Sequence, residues 1–237
     1  MEEALRAGRV RQVLVQSDLR HRPRLDGIIR QAEQAGITVR PVGRGELDAL
    51  AGGQRHQGVV AVVAPYHYRS LHDLLAEQRA EPPLLLALDG VEDPQNLGAI
   101  LRSADAAGVH GVILPAHRSA RITPAVARAS AGAADYLAIA QVVNLRRALE
   151  TMKEAGIWVY GLDAHGTTDF DTADYDRPVA IVAGAEGKGL SRLVREACDL
   201  LVRIPMYGHV ASLNVSVATA LALFAARRAR ERARSKR

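Results

Sequence analysis

Five polar side chains in this sequence stand among apolar neighbours, and each needs a reason. Asn96 and Arg102 belong to Asp93-Pro94-Gln95-Asn96-Leu97-Gly98-Ala99-Ile100-Leu101-Arg102. Glu186 sits in Gly184-Ala185-Glu186-Gly187-Lys188-Gly189, and Ser212 and Asn214 introduce the apolar run Val215 to Ala226. Asn96 either caps a helix or faces a ligand, while Ser212 is a good N-cap for the helix that follows. Glu186 is either an exposed loop charge or a paired site carboxylate. Arg102 is harder to treat as filler, because a guanidinium in an otherwise apolar helix needs an anionic or carbonyl partner.

Several chemistries are excluded by what the chain lacks. No set of His and Cys suits a metal, and no Gly-x-Ser-x-Gly elbow presents a nucleophile. The loop Gly184–Gly189 fails the GxxxxGK[ST] template, since its glycines are too close and Lys188 is followed by Gly189. No GxGxxG follows a first strand, which argues against a nucleotide-dependent oxidoreductase. The single cysteine, Cys198, lies near Ala197 and Leu200, in surroundings that suit a buried thiol better than a nucleophile. What remains is hydrogen bonding, positioning and an arginine, a set better suited to transfer from an activated cofactor than to hydrolysis.

The elements that must position these residues form two groups. In residues 1–65, Arg11 to Gln16, Ile37 to Val42 and Gly58 to Ala64 read as strands, and Arg24 to Ala35 and Glu46 to Leu50 as helices. Residues 66–83 read as a linker, with a helical piece at Leu71 to Arg79 and the stiffening Glu81-Pro82-Pro83. From 84 to 237 a larger α/β domain begins with Leu84 to Leu88, a run as apolar as a strand buried on both faces. Strands are expected at Gly111–Leu114, Tyr136–Val142, Trp158–Gly161, Val179–Ala183 and Leu200–Ile204. Helices are expected at Asn96–Ala107, Pro124–Ala131, Leu145–Ala155 and Ser191–Glu196, and the almost wholly apolar Val215 to Ala226 is expected to be buried. This βα alternation predicts a mostly parallel sheet, whose ligands sit at the C-terminal ends of its strands. Asn96, Glu186, Ser212 and Asn214 all follow strands there, and three glycines in six positions after Val179–Ala183 suggest a backbone bent sharply against a ligand or another segment.

Charge is unevenly spread. Residues 1–65 hold ten arginines against seven acids, residues 66–226 fourteen Lys/Arg against eighteen acids, and residues 227–237 seven Lys/Arg against Glu231. Basic ends around a slightly acidic middle suit a polyanion held by peripheral surfaces, although a basic tail is also what a solvated helix end carries. Arg20, Arg22 and Arg24, in the loop after the first strand, form a candidate phosphate-contacting corner. No apolar run approaches the roughly 20 residues that span a bilayer, and no secretory segment opens the chain. A cytoplasmic protein without a membrane partner is expected.

The runs DPQNLGAILRSA, GAEGKGLS and IPMYGHVASLNVSVATAL resemble, in order and spacing, the three motifs of the SpoU (TrmH) RNA ribose 2′-O-methyltransferases of the SPOUT superfamily. The resemblance covers residues 84–226. The N-terminal unit, with His56-Gln57-Gly58 before a strand, resembles the ribosomal-protein-like substrate domain of the branch that methylates a guanosine in large-subunit ribosomal RNA. That domain usually starts with a further strand and helix start, so this chain, beginning at Met1-Glu2-Glu3-Ala4-Leu5, implies either a truncated start or a shorter subgroup.

The resemblance implies an α/β fold with a deep trefoil knot near the C-terminus, an exception to unknotted chains. It implies S-adenosyl-L-methionine bent into that knot around Gly184, Ile204 and Leu213, with Met206 and Ser212 close by, and a homodimer whose second subunit helps build the RNA site. It makes Asn96, Arg102, Glu186, Ser212 and Asn214 the catalytic and substrate-positioning set, with no metal. An arginine at the Arg102 position has been cast as proton acceptor in this family. A guanidinium stays protonated at neutral pH, so holding the adjacent phosphate and stabilising the developing alkoxide is the better role. Glu186 is then expected to hold Arg102 or the partner's loop, and the bulk of Tyr207 and His209 to be loop variation. The implied activity is methylation of a 23S ribosomal RNA guanosine. The alternatives are a tRNA ribose 2′-O-methyltransferase and a non-catalytic RNA-binding or ribosome-assembly protein on the same fold.

Overall fold

The structure, a computed structural model, describes residue 5 and residues 8–19, 23–53 and 55–235, with only the backbone of residues 23 and 24. The chain divides into two compact units, Met1–Tyr66 and His67–Arg237.

In the first unit β1 (Val10–Gln16) is the central strand, parallel to β2 (Thr38–Val42) and antiparallel to β3 (Val59–Val63). Alternation along β1 feeds both faces: Val13 and Val15 pack with Leu25 and Ala32, whereas Leu14 packs with Val42 and Leu47. Leu25 and Ala32 come from α1 (Pro23–Gln34), and Leu47 from α2 (Arg44–Ala51).

The second unit contains a seven-stranded sheet in the order β6-β5-β4-β9-β7-β10-β8, and every pairing in it is parallel. The strands are β4 (Leu84–Asp89), β5 (Gly111–Pro115), β6 (Ile139–Val142), β7 (Trp158–Leu162), β8 (Thr168–Asp169), β9 (Val179–Gly184) and β10 (Leu200–Arg203). Leu84 to Leu88, the run expected to be buried on both faces, is β4, and it pairs with β9, whose residues Val179 to Ala183 are buried as well. The helices are α3 (Leu71–Ala76), α4 (Pro94–Ala106), α5 (Pro124–Ala129), α6 (Leu145–Glu154), α7 (Arg192–Ala197) and α8 (Val215–Arg234). In α6 the spacing of Leu145, Ala148, Leu149 and Met152 puts one apolar stripe into the core cluster beneath the sheet.

Several local expectations change. The sixth strand starts at Ile139 rather than Tyr136, because Gly132, at φ 84°, turns the chain into a 3₁₀ segment at Ala133–Asp135. β8 is two residues long, too short for a periodic signal. The N-cap of α8 is Asn214, not Ser212, and that of α4 is Asp93, which accepts from the Asn96 N–H at 2.9 Å. The helix 215–226 is apolar all round but buried on one side only: Val217, Leu221 and Phe224 are 47%, 41% and 43% exposed.

The basic C-terminal segment is not simply a solvated helix end. Arg230 is 2% exposed, and its guanidinium donates to the carbonyls of Tyr175, Pro82, Pro83 and Arg177. Arg227 holds Glu81 at 3.0 Å and donates to the carbonyls of Ala107 and Gly108 at 2.9 Å. Two arginines one turn apart thus clasp the end of α8 to the Glu81-Pro82-Pro83 segment, whose carboxylate and carbonyls accept the hydrogen bonds a buried guanidinium must make.

Candidate active site

Because β9, β7 and β10 are neighbours and parallel, the segments that leave their C-terminal ends emerge together on one edge of the sheet. These segments and the start of α8 enclose a cleft of about 460 Å³. Gly184, Ile204, Met206, Ser212 and Leu213 all line it, as do Leu162, Asp163 and His165 from the end of β7.

The loop after β9 is shaped by its glycines. Ala185 and Gly189 exchange backbone hydrogen bonds at 3.0 and 2.9 Å, and Gly187 and Gly189 take φ of 74° and 65°. A Cβ on Gly184 would stand 2.1 Å from the Gly189 carbonyl carbon, so the loop can fold back on its own strand only without a side chain there. Asp89, at the end of β4, pins the far side by accepting from the Ser191 N–H at 2.7 Å.

This folding brings Glu186 to the mouths of α4 and α8. Asn96 Nδ2 donates to Glu186 Oε2 at 2.9 Å, and Asn214 Nδ2 donates to Asn96 Oδ1 at 2.9 Å and to Glu186 Oε1 at 3.1 Å. Asn214 Oδ1 accepts from the Ser216 N–H at 2.9 Å and from Ser216 Oγ at 2.6 Å. The Asn214 amide is therefore fully committed, its oxygen to the helix end and its nitrogen to the cluster. With Asp93 capping α4, the Asn96 side chain is released from capping and serves Glu186 instead.

The other candidates are placed differently. Ser212 is exposed on the cleft wall. Arg102 is exposed, and among the described residues its side chain makes no ion pair or hydrogen bond, so the partner its apolar helix seemed to require is not found among them. Its helix is amphipathic, and Arg102 lies on the side away from the buried Leu97, Ile100, Leu101 and Ala104. Glu186 holds Asn96 and Asn214, not Arg102. Arg20 and Arg22 lie outside the described residues, and for Arg24 only the backbone in α1 is described. Among the described residues no group of three or more His, Cys, Asp or Glu could hold a metal ion, and no helix is long and apolar enough to cross a membrane.

Comparisons with known proteins identify the family. The SpoU rRNA Methylase family matches residues 83–224, more than half of the chain, and the RNA 2′-O ribose methyltransferase substrate binding family matches residues 1–69. The chain belongs to the SpoU rRNA methylase family. A Bacillus subtilis protein named as a TrmH family tRNA/rRNA methyltransferase, YacO, is 50% identical to this SpoU protein over 199 residues, 83% of this chain and 80% of that one. The AdoMet-bound rRNA methyltransferase of Sinorhizobium meliloti superposes with a TM-score of 0.80 at 28% identity, over 96% of this chain and 85% of that one. The TrmH/SpoU tRNA modifying enzyme of A. aeolicus superposes with a TM-score of 0.58 at 32% identity, over 69% of this chain and 82% of that one.

The cofactor of this SpoU protein is S-adenosylmethionine, and the cleft fits it. Leu162, Ile204, Met206 and Leu213 offer an apolar wall, and the glycine loop offers main-chain groups unscreened by side chains. Sequence reasoning missed the β7 end. Asp163 accepts from the His165 N–H and from Arg195 Nη2, both at 2.8 Å, and so ties the β7 loop to α7 beside the cleft. The only signal for it is position, an acidic residue just past a parallel strand.

Proposed function

We propose that the protein is an S-adenosylmethionine-dependent RNA 2′-O-ribose methyltransferase that acts, as a homodimer in the cytoplasm, on a guanosine of 23S ribosomal RNA. The observation that carries the reading is the Asn96–Glu186–Asn214 cluster, assembled from three distant segments at the rim of a cleft lined by Gly184, Ile204, Met206, Ser212 and Leu213. When bound, the cofactor supplies an electrophilic methyl group on a sulfonium that is a good leaving group. The protein must bring a ribose 2′-oxygen in line with that methyl, and alignment alone can supply about 7–11 kcal/mol of the barrier. In this reading Glu186 fixes the two asparagine amides, and with Ser212 these set the cofactor-side and ribose-side loops relative to one another. Arg102, exposed and without a partner among the described residues, is held in reserve for the substrate phosphate and the alkoxide that develops beside it.

Three further features support the finer parts. The stripe Val217, Leu221, Phe224 lies on one face of α8 at the spacing of successive turns, and covering it with a second copy would stabilise a dimer. A trefoil knot around the cleft is supported by the sheet order, which inserts β9 between β4 and β7. It is also supported by Gly166, where a Cβ would stand 2.7 Å from the Leu201 carbonyl oxygen. For the substrate, residues 1–65 provide an RNA-binding domain joined through residues 66–83 to the methyltransferase domain, and Arg20, Arg22 and Arg24 are its proposed phosphate contacts. The extent of the structural match, 96% of the chain for the rRNA methyltransferase against 69% for the tRNA modifying enzyme, favours ribosomal RNA over tRNA.

The test is transfer of a labelled methyl from S-adenosylmethionine to 23S ribosomal RNA and to a tRNA pool, followed by mapping of alkali-resistant linkages. A single resistant linkage 3′ to a 23S guanosine is expected. Transfer to tRNA alone would replace the substrate, and cofactor binding without transfer to any RNA would favour the non-catalytic assembly protein.

A further inference from the structure

Between Asp105 and Asp135 the chain holds no acidic residue, yet it carries Arg118, Arg121 and Arg128. All three are exposed, and among the described residues none of their side chains makes an ion pair or hydrogen bond. Arg146, Arg192, Arg195, Arg203 and Arg227 of the same unit, by contrast, each hold a carboxylate. Residues 66–226, which hold fourteen Lys/Arg against eighteen acids, have thus left one stretch free of counter-charge.

The fold puts that stretch beside the cluster. Ala120 N donates to the Val91 carbonyl at 2.8 Å, which laces the loop after β5 to the loop after β4. A Cβ at Gly90 would lie 3.5 Å from the Ala185 Cβ and 3.9 Å from the Arg118 carbonyl oxygen, so one residue separates the basic loop from the loop that carries Glu186. Arg128, in the last turn of α5, precedes Ala129, whose Cβ would stand 2.3 Å from a Cβ on Gly98 of α4. Arg102 follows Gly98 by one turn, on the side of α4 that meets α5.

We propose that Arg118, Arg121 and Arg128 form a phosphate-tracking surface within the catalytic unit, which holds the RNA strand flanking the methylated nucleotide. The inference rests on the RNA methyltransferase reading and adds to it a substrate surface separate from the N-terminal unit. Guanidinium forks match phosphate oxygens, and arginines without a carboxylate need surrender no existing ion pair to take a phosphate. Such contacts fix position rather than read sequence.

The experiment compares the full-length wild type with Arg118→Gln/Arg121→Gln/Arg128→Gln, measuring filter binding of a 23S ribosomal RNA fragment over a range of salt. Cofactor affinity and sedimentation are followed in parallel. Each phosphate contact contributes about 0.7 (single strand) to 0.9 (duplex) to the slope of log K against log salt. The triple variant is therefore expected to show a slope shallower by about 2 to 3 and at least about a tenfold weaker complex at physiological salt, with cofactor affinity and sedimentation held. An unchanged slope overturns the proposal, and so does loss of the dimer, which would make the patch a contact between copies. If the slope flattens but the wild type methylates no RNA, the surface stands and the enzymatic reading fails; if the wild type methylates and the slope does not change, the reverse holds.

Discussion

Asn214 joins the helix end to the cluster, and its two roles can be separated by substitution. Asn214→Ala removes both: the lost N-cap costs about 1 kcal/mol, and the donors to Asn96 and Glu186 disappear. Asn214→Asp keeps an oxygen for the Ser216 N–H but sets a second carboxylate where the amide lay 3.1 Å from Glu186 Oε1. Two unit charges about 4 Å apart repel by about 1 kcal/mol in water and about 4 kcal/mol at an effective dielectric of 20. Both groups are exposed, so the lower figure applies, and added salt should relieve the Asp variant but not the Ala variant. Each kcal/mol lost corresponds to about 2–4 °C in the melting temperature of a unit this size. Methyl transfer should fall about a hundredfold in both variants, since misplacing the ribose-side loop costs alignment. The deciding construction is Asn214→Asp with Glu186→Gln, in which the new amide donates to the new carboxylate and the donor–acceptor order is reversed. Thermal melts and labelled-methyl turnover on the four proteins form a double-mutant cycle, and a coupling of at least about 1 kcal/mol is expected. Full turnover in Asn214→Asp, or a cycle additive within about 0.5 kcal/mol, would refute the claim that these side chains act as one unit.

Gly184→Ala forces a Cβ to within 2.1 Å of the Gly189 backbone, so the loop must move; calorimetry should show at least a tenfold loss of S-adenosylmethionine affinity, and unaltered affinity would mean the cofactor does not use this loop. The clasp at the end of α8 should weaken in acid. Burial pushes Glu81 up, but the hydrogen bond and charge of Arg227 outweigh it and leave the carboxyl below its usual range. Burial likewise holds His110 below the usual imidazole range against the pull of Glu81. A depressed carboxyl stabilises the fold above its unfolded value and loses that contribution as pH falls through the folded one. An imidazole kept neutral becomes a liability below the unfolded histidine value of about 6.5. Both effects have the same sign, so the urea midpoint should fall steadily from pH 7 to pH 4, and a flat or rising midpoint would contradict this. The Cys198 thiol is pushed up to about 12 by burial and by the neighbouring Asp199. Its reaction with a thiol reagent at pH 8 should therefore be about a hundredfold slower than that of a free thiol until the protein is unfolded, and prompt labelling of the native protein would show the site to be open.

The sequence by itself determined the elements and the motifs. Leu84 to Leu88 could be read as a doubly buried strand, and Val179 to Ala183 as a strand, because unbroken apolar runs of that length have few other uses in a βα alternation. Chemistry could be narrowed because metal, nucleophile-elbow and nucleotide-loop patterns are defined by local spacing. Cap assignment was less secure: Ser212, Asn214 and Ser216 are all capping residues, and only the path of the chain selects Asn214. The tertiary structure alone decided which polar groups meet. Asn96, Glu186 and Asn214 are separated by 90 and 28 positions, and what joins them is a sheet order that no periodicity encodes. It also decided which apolar and charged groups are left outward. The helix from Val215 is apolar on every side, so its pattern could not reveal that Val217, Leu221 and Phe224 stay exposed. Composition is as uninformative for two arginines: Arg102 lies on the outer flank of α4, while Arg230, in a run that reads as a solvated tail, is buried against four carbonyls. A side chain's type sets what burial would cost it, but its partners come from remote segments, and only the folded chain supplies them.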